Sequence, residues 1–150
     1  MKIKPKKQKL NAGWREWAQL PDLGVDKIKV KIDTGAKTSS LHAFQVSTVR
    51  HDGREFVKFD IHPIQDNDTV IYTCLSPIVD YRWITSSTGN RQQRIIIETR
   101  LKIGAYSSIV QLSLANRDEM GFRMLIGRAA LKKEVLVDPA HSFLLSHMKR

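Results

Sequence analysis

The sequence predicts an all-β domain, a closed β-barrel or sandwich-like arrangement with one short helix after Gly127. Three observations predict it: period-2 alternation recurs along the chain, turn signals separate the alternating runs, and helical patterning is confined to one stretch. Ile28, Val30 and Ile32 alternate with Lys27, Lys29 and Lys31, which puts three β-branched residues on one strand face and three ammonium groups on the other. After the turn signal Asp52-Gly53, Phe56 and Val57 open a second run that ends near Ile61. Further strand-like runs are Val70 to Leu75, Ile78 to Ile84, Arg94 to Ile103, Ser108 to Leu114 and Phe122 to Ile126. Thr88-Gly89-Asn90 and Ile103-Gly104-Ala105 supply turns between them. The helix is expected at Arg128 to Lys133, and a short apolar run, Val135 to Val137, follows until Asp138-Pro139 stops it.

The chain has 150 residues, enough for one domain that buries a core without staples. Residues 1–11 read as a basic tail, with five lysines in the first nine positions, and residues 12–150 as the folded domain. No apolar run approaches the roughly 18 residues of a membrane span, and no apolar segment follows the basic start as a secretory signal would require. Cys74 is the only cysteine, so an internal disulfide and a cysteine-based zinc site are both excluded, and a reducing, cytoplasmic setting is expected. The formal charge is +10, with 25 Lys and Arg against 15 Asp and Glu, which favours a polyanionic partner: nucleic acid, acidic lipid or acidic polypeptide.

One segment is shaped for chemistry. In Ile28 to Ala36 an apolar strand delivers Asp33 and the chain then turns on Gly35. The strand gives the carboxylate a rigid base, and glycine permits a tight turn with close backbone approach. Thr34 offers a hydroxyl that can hydrogen-bond across an interface, and Ala36 leaves room for a substrate backbone. Asp-Thr-Gly is also an ordinary polar turn, so the tripeptide does not stand alone as evidence. The second motif is Met124-Leu125-Ile126-Gly127-Arg128-Ala129-Ala130-Leu131, an apolar strand, a glycine and a short helix.

A strand ending in Asp-Thr-Gly-Ala, followed about 90 residues further on by apolar-apolar-Gly-Arg-x-x-Leu, resembles the retropepsin-like aspartic peptidases. The stretches Gly13-Trp14-Arg15-Glu16-Trp17, Leu20-Pro21-Asp22-Leu23-Gly24 and Lys31 to Ala43 narrow the resemblance to RimB-like proteins, a family that also carries the label ATP-dependent zinc protease. Met120 to Arg128 and Val137-Asp138-Pro139 extend it over roughly residues 12 to 145. The zinc and ATP of that label find no motif here. There is no His-Glu-x-x-His, no Cys-x-x-Cys and no phosphate-binding Gly-x-x-x-x-Gly-Lys-Ser/Thr loop, and His42, His51, His62, His141 and His147 form no ligand pair. No metal and no cofactor is therefore expected.

The resemblance implies a retropepsin-like barrel in which the second glycine packs behind the active-site loop. It implies Asp33, Thr34 and Gly35 as the catalytic triplet, and Ala36, Lys37, Thr38 and Arg128 as substrate-binding residues. Aspartic peptidases need two carboxylates sharing one proton. This chain has one such triplet, so a homodimer is expected, with Asp33 of each copy at the axis and Thr34 bonding across it. A flap must cover the cleft. Trp83 to Arg91 is the candidate, with Ser86, Ser87, Thr88, Gly89 and Asn90 at its tip, and the Asp52-Gly53 turn is its rival. Retroviral-type enzymes carry an acidic residue where this chain has Lys37, which leaves Arg128 without that partner. Basic subsites and a preference for acidic peptides follow, unless Lys37 points to solvent. Some family members accompany enzymes that add glutamate tails to a ribosomal protein, which points to glutamyl extensions as substrate.

Three other readings stay open. One is a non-catalytic barrel that holds acidic peptides, against which the intact Asp33 argues. Another is an RNA-binding barrel supported by charge alone, since aromatic residues make up only 7% of the chain. The third is a metallopeptidase. The expected core is Ile28, Val30, Ile32, Leu41, Ile96, Leu112, Leu114, Leu125 and Ile126.

Overall fold

The strand around Ile28 lies at the centre of the architecture, flanked by neighbours from both ends of the chain. The computed structural model describes residues 8–65, 67–85, 88–116 and 121–147. Its strands are β1 (Leu10–Gly13), β2 (Arg15–Leu20), β3 (Val25–Ile32), β4 (Ser39–His42), β5 (Phe44–His51), β6 (Arg54–Ile61), β7 (Tyr72–Thr85), β8 (Arg91–Ile103), β9 (Tyr106–Ala115), β10 (Met124–Ile126) and β11 (Val135–Asp138). One α-helical turn, α1 (Arg128–Leu131), follows Gly127. The order β2-β3-β10-β4-β9-β8 closes on itself where Gln19 of β2 meets Lys102 of β8, giving a six-stranded barrel. From β8 the sheet continues outward as an antiparallel arm, β7-β6-β5. β1 and β11 form a separate parallel pair.

Alternation decides which side chains enter the barrel. Ile28 and Val30 of β3, Leu41 of β4, Ile97, Leu101 and Ile103 of β8, Leu112 of β9, and Met124 and Ile126 of β10 are at most 1% exposed. Burying an aliphatic side chain of this size is worth about 1.5–3 kcal/mol. Ile32, Ile96 and Leu114 are buried as expected, but Leu125 is only half-buried. Its neighbours Met124 and Ile126 take the inward positions, and period 2 turns Leu125 to the other face.

The two expected runs Val70 to Leu75 and Ile78 to Ile84 are one 14-residue strand, β7. It changes partner midway: Tyr72 to Pro77 pair with β6, and Ile78 to Thr85 pair with β8 across a bulge. Four strands gave no sequence signal. β2 buries Glu16 and Ala18 at alternate positions, β5 exposes nearly every residue, and β1 and β4 are only 4 residues long. The helix is shorter than the expected Arg128 to Lys133 because Lys132 leaves helical backbone with φ 53°. The Val135 to Val137 run is strand β11, extending to Asp138.

The turns behave as their residues dictate. Asp52 and Gly53 both take positive φ (51° and 75°), which a two-residue hairpin between His51 and Arg54 demands. The C-terminal segment folds back onto β1 and β2. His141 and Arg15 carbonyls accept from the Trp14 and Phe143 amides at 2.9 Å, and Phe143 stacks on Trp17 with centroids 5.9 Å apart. No helix among the described residues is long and apolar enough to cross a membrane.

Candidate active site

β3 runs parallel to β10, with Val30 beside Met124 and Ile32 beside Ile126. The pairing continues one residue past the strand, where the Asp33 amide donates to the Ile126 carbonyl at 2.8 Å. Asp33 thus leaves a buried strand whose backbone is held on both flanks, since Ile32 also donates to Trp14 at 2.8 Å. The chain then folds back on the carboxylate: Gly35 N–H donates to Asp33 Oδ1 at 3.0 Å, and Ala36 N–H to the Asp33 carbonyl at 3.2 Å. A Cβ on Gly35 would lie 3.2 Å from Oδ1, so glycine lets the carboxylate come this close.

The second motif holds the loop from behind. Arg128 and Ala129 amides, at the start of α1, donate to the Ala36 and Lys37 carbonyls at 2.8 and 3.0 Å. Gly127 N–H donates to Ser39 Oγ at 2.9 Å. A Cβ on Gly127 would sit 2.7 Å from the Lys37 carbonyl oxygen and 2.9 Å from that of Ala36, closer than real Cβ contacts allow. Gly127 is fixed by this approach, since its own φ of −88° suits any residue. The Arg128 guanidinium reaches over the loop and donates from Nη1 to the Thr34 carbonyl at 2.9 Å.

The loop opens onto a cleft of about 470 Å³. Asp33, Gly35, Ala36, Lys37, Thr38 and Ser40 form one wall, Leu125 and Ser113 contribute from β10 and β9, and the β7–β8 hairpin supplies Trp83, Ile84, Thr85 and Arg94. Asp33 is half-buried, and Lys37 is exposed. Thr34 is exposed, and neither it nor Arg128 borders the cleft. Among the described residues that border it, Asp33 carries the only carboxylate. The expected flap is the end of the β7–β8 hairpin, where Thr85 pairs with Arg91 and the Arg91 guanidinium lies 4.9 Å from the Trp83 ring centroid. Thr88, Gly89 and Asn90 follow in that turn, while Ser86 and Ser87 lie outside the described residues. The rival turn, Asp52-Gly53, ends the β5–β6 hairpin and does not border the cleft.

A strand-borne Asp-Thr-Gly with a glycine-helix cradle behind it is the geometry that the sequence motifs describe, and comparison with known families agrees. The model of the RimB-like family, retropepsin-like aspartic endopeptidase RimB, matches residues 11–147. The chain belongs to this RimB-like family. Its curated relatives include a protein of Desulfotalea psychrophila named "Probable alpha-L-glutamate ligase", 41% identical over 92% of this chain, and one of Shewanella pealeana with the same name, 44% identical over 89%. The chain spans only 30% and 29% of the length of those two relatives. A crystal structure of a Legionella pneumophila protein of unknown function superposes with a TM-score of 0.73 at 26% identity, covering 89% of this chain and 96% of that one. The RimB-like match spans the Asp33 loop and the Gly127 cradle alike.

Three cleft residues were not singled out in the sequence, Ser40, Arg94 and Ser113, and a fourth, Leu125, was expected in the core. Arg94 carried a usable signal. It precedes the buried Ile96 by two positions on a strand, which aims a guanidinium at the same side. Among the described residues, no three His, Cys, Asp or Glu side chains converge as a metal site would require.

Proposed function

We propose that this chain hydrolyses peptide bonds as an aspartic peptidase, with the Asp33 carboxylates of two copies forming the catalytic dyad at a homodimer axis. One observation carries the reading: Asp33 is presented to the cleft on a braced loop and is the only carboxylate among the described residues bordering it. The mechanism needs two carboxylates. One, ionised, takes a proton from a water as that water attacks the scissile carbonyl. The other, protonated, donates to the developing oxyanion, and a proton then passes to the leaving nitrogen. Two such groups a few ångströms apart titrate as a pair, because ionising both is costly. A second copy placing its own Asp33 opposite supplies the partner with no further residue. Thr34, exposed beside Asp33, then bonds across that axis, a role its exposure supports.

The β7–β8 hairpin serves as the flap, a reading supported by Trp83, Ile84 and Thr85 bordering the same cleft as Asp33. Lys37 on the opposite wall favours acidic peptides. The relatives named as glutamate ligases carry a segment similar to this chain within a longer protein, which supports glutamyl-tailed polypeptides as substrates. The one cysteine, buried and free, suits a reducing cytoplasm.

The test is cleavage of poly-α-glutamate and a mixed peptide library by wild type and Asp33→Asn, from about pH 4 to 8, a span chosen to cover titration of a carboxylate pair. Products are read by mass spectrometry, with and without chelator. Cleavage by wild type alone, indifferent to chelator, supports the reading, and equal cleavage by both proteins overturns it. Peptide binding without cleavage by wild type would point to a binding module instead.

A further inference from the structure

The hairpin that borders the cleft together with the Asp33 loop contains a cation with no counter-charge among the described residues. Arg94 is 9% exposed and borders the cleft from β8. Its only hydrogen bond among the described residues runs from Nε to the neutral side-chain oxygen of Gln92, at 3.4 Å. Its cross-strand partner is Arg82, so two guanidinium-bearing residues stand in register across the hairpin. Arg82 is provided for: Asp80 accepts from its Nε at 2.8 Å, and Gln111 from its Nη2 at 2.7 Å. That hydrogen bond holds the Asp80 carboxyl below its ordinary value, so Asp80 stays ionised and committed to Arg82. No ion pair joins Arg94 to Asp33, whose Oδ1 accepts from Gly35.

Arginine cannot escape this position by losing its proton. A covered guanidinium without an anion is costly, and it is relieved best by a planar two-oxygen acceptor that meets its fork of donors. We propose that Arg94 is a specificity-determining residue whose guanidinium binds a carboxylate of the substrate when the cleft is filled. The proposal rests on the peptidase reading above and deepens it, because it names the group on the substrate that this wall selects. The carboxylate can belong to an acidic side chain or to the substrate's C-terminus. Lys37, across the cleft, adds positive potential but lacks the fork geometry.

The experiment has a kinetic and a binding arm. In the first, wild type and Arg94→Gln cleave an acidic peptide from the library, versions with each Glu or Asp changed to its amide, and a version with an amidated C-terminus. A charge-assisted bidentate contact predicts about a 30-fold loss of kcat/KM for wild type at one of these replacements. Arg94→Gln should lose the same factor on the acidic peptide and cleave the neutral version as well as wild type does. Loss on a side-chain replacement identifies an acidic residue as the ligand, and loss on amidation identifies the C-terminus. Arg94→Lys should recover only part of the preference. Should Arg94→Gln fail to fold, Arg94→Met fills the same covered space without charge.

In the second arm, fluorescein-labelled decaglutamate and decaglutamine are titrated against Asp33→Asn with and without the Arg94 change. This arm needs no hydrolysis, so it separates a failure of the peptidase reading from a failure of this inference. A preference for decaglutamate that shrinks at least about 10-fold without Arg94 supports the proposal. Equal weakening for both peptides, in either arm, or no change in either, overturns it.

Discussion

Glu16 and Asp33 lie on neighbouring strands of one barrel, and their carboxylates are treated very differently. Glu16 sits on β2 opposite Val30 of β3, and Asp33 follows three residues beyond that Val30. Glu16 is fully enclosed, and four donors saturate it: Gly13 N–H at 2.7 Å and Leu145 N–H at 3.0 Å on Oε2, Ser146 N–H at 2.9 Å and Ser146 hydroxyl at 2.7 Å on Oε1. Asp33 is half-buried and its carboxylate accepts one hydrogen bond among the described residues, from Gly35 N–H at 3.0 Å, with the cleft before it. Donors confined to protein convert a carboxylate into a clamp, here one that fastens the C-terminal segment to β1 and β2. A carboxylate with bonding capacity left over can share a proton or activate water. The contrast is between an acid whose lone pairs the fold has already used and one that keeps capacity for the chemistry proposed above.

Asp33→Asn should show the largest effect and break the comparison on its chemical side. Asparagine keeps an oxygen for Gly35 N–H, so thermal stability should stay within about 0.5 kcal/mol of wild type. Activity should fall by at least about 1000-fold, because loss of one member of a catalytic unit costs nearly as much as loss of the whole. Peptidase kinetics beside calorimetry check both halves. A variant that unfolds would mean that Asp33 is a clamp like Glu16.

Glu16→Ala should give the opposite profile. It strips the acceptor from four donors, three of them backbone amides. Leaving such groups buried without partners predicts a loss of about 2–4 kcal/mol in denaturant unfolding. The fraction that remains folded should retain its kcat, because Glu16 does not border the cleft. A drop in kcat with unchanged stability would contradict the division of roles.

Gly127→Ala tests the link between the two regimes, because it acts on backbone alone. The added methyl meets the Lys37 and Ala36 carbonyls at 2.7 and 2.9 Å, and the Asp33 loop must shift to admit it. Overpacking of this kind predicts about 1–3 kcal/mol of destabilisation. Activity measured well below the melting temperature should fall too, because the displaced loop carries Asp33. Unchanged kinetics would show that the cradle behind the loop is not what positions the carboxylate.

The barrel and the Asp33 loop were legible in the sequence for a physical reason. β3 and β10 alternate cleanly, and glycine is dictated by backbone approach at position 127 and favoured by the nearby Asp33 carboxylate at position 35, which leaves a mark in one-letter code. Other parts left none. β2 was hidden because its inward positions hold Glu16 and Ala18, and a charged residue breaks an apolar pattern even when the fold saturates it. β5 was hidden because an exposed edge strand needs no alternation. Leu125 was assigned to the core from its composition, although parity between Met124 and Ile126 turns it toward the cleft. Arg94 is legible only once Ile96, on the same strand face, is known to be covered, because burial of a cation is a tertiary fact.

The smallest effect belongs to a third carboxylate, Asp138, which sharpens the contrast because it is half-buried like Asp33 yet occupied. Its Oδ1 accepts from the Ala140 amide at 2.9 Å and its Oδ2 meets His141 Nδ1 at 2.8 Å. These contacts, the backbone bond first, hold its carboxyl below the ordinary value of 3.8. A lowered folded value means that Asp138 stabilises the native state above its unfolded pKa, and that this contribution fades as pH falls through the folded value. The melting temperature of wild type should therefore exceed that of Asp138→Asn slightly at about pH 6, and the gap should close on acidification below about pH 4, where the unfolded carboxylate binds its proton. Asp138 holds the turn whose His141 carbonyl accepts from Trp14, so it steadies the same C-terminal segment that Glu16 grips. A gap that widened with acid would reverse the sign and show that the protonated form is the one the turn prefers. No gap at any pH would show that the bond to Ala140, which asparagine also makes, accounts for the whole contribution and that the charge adds nothing.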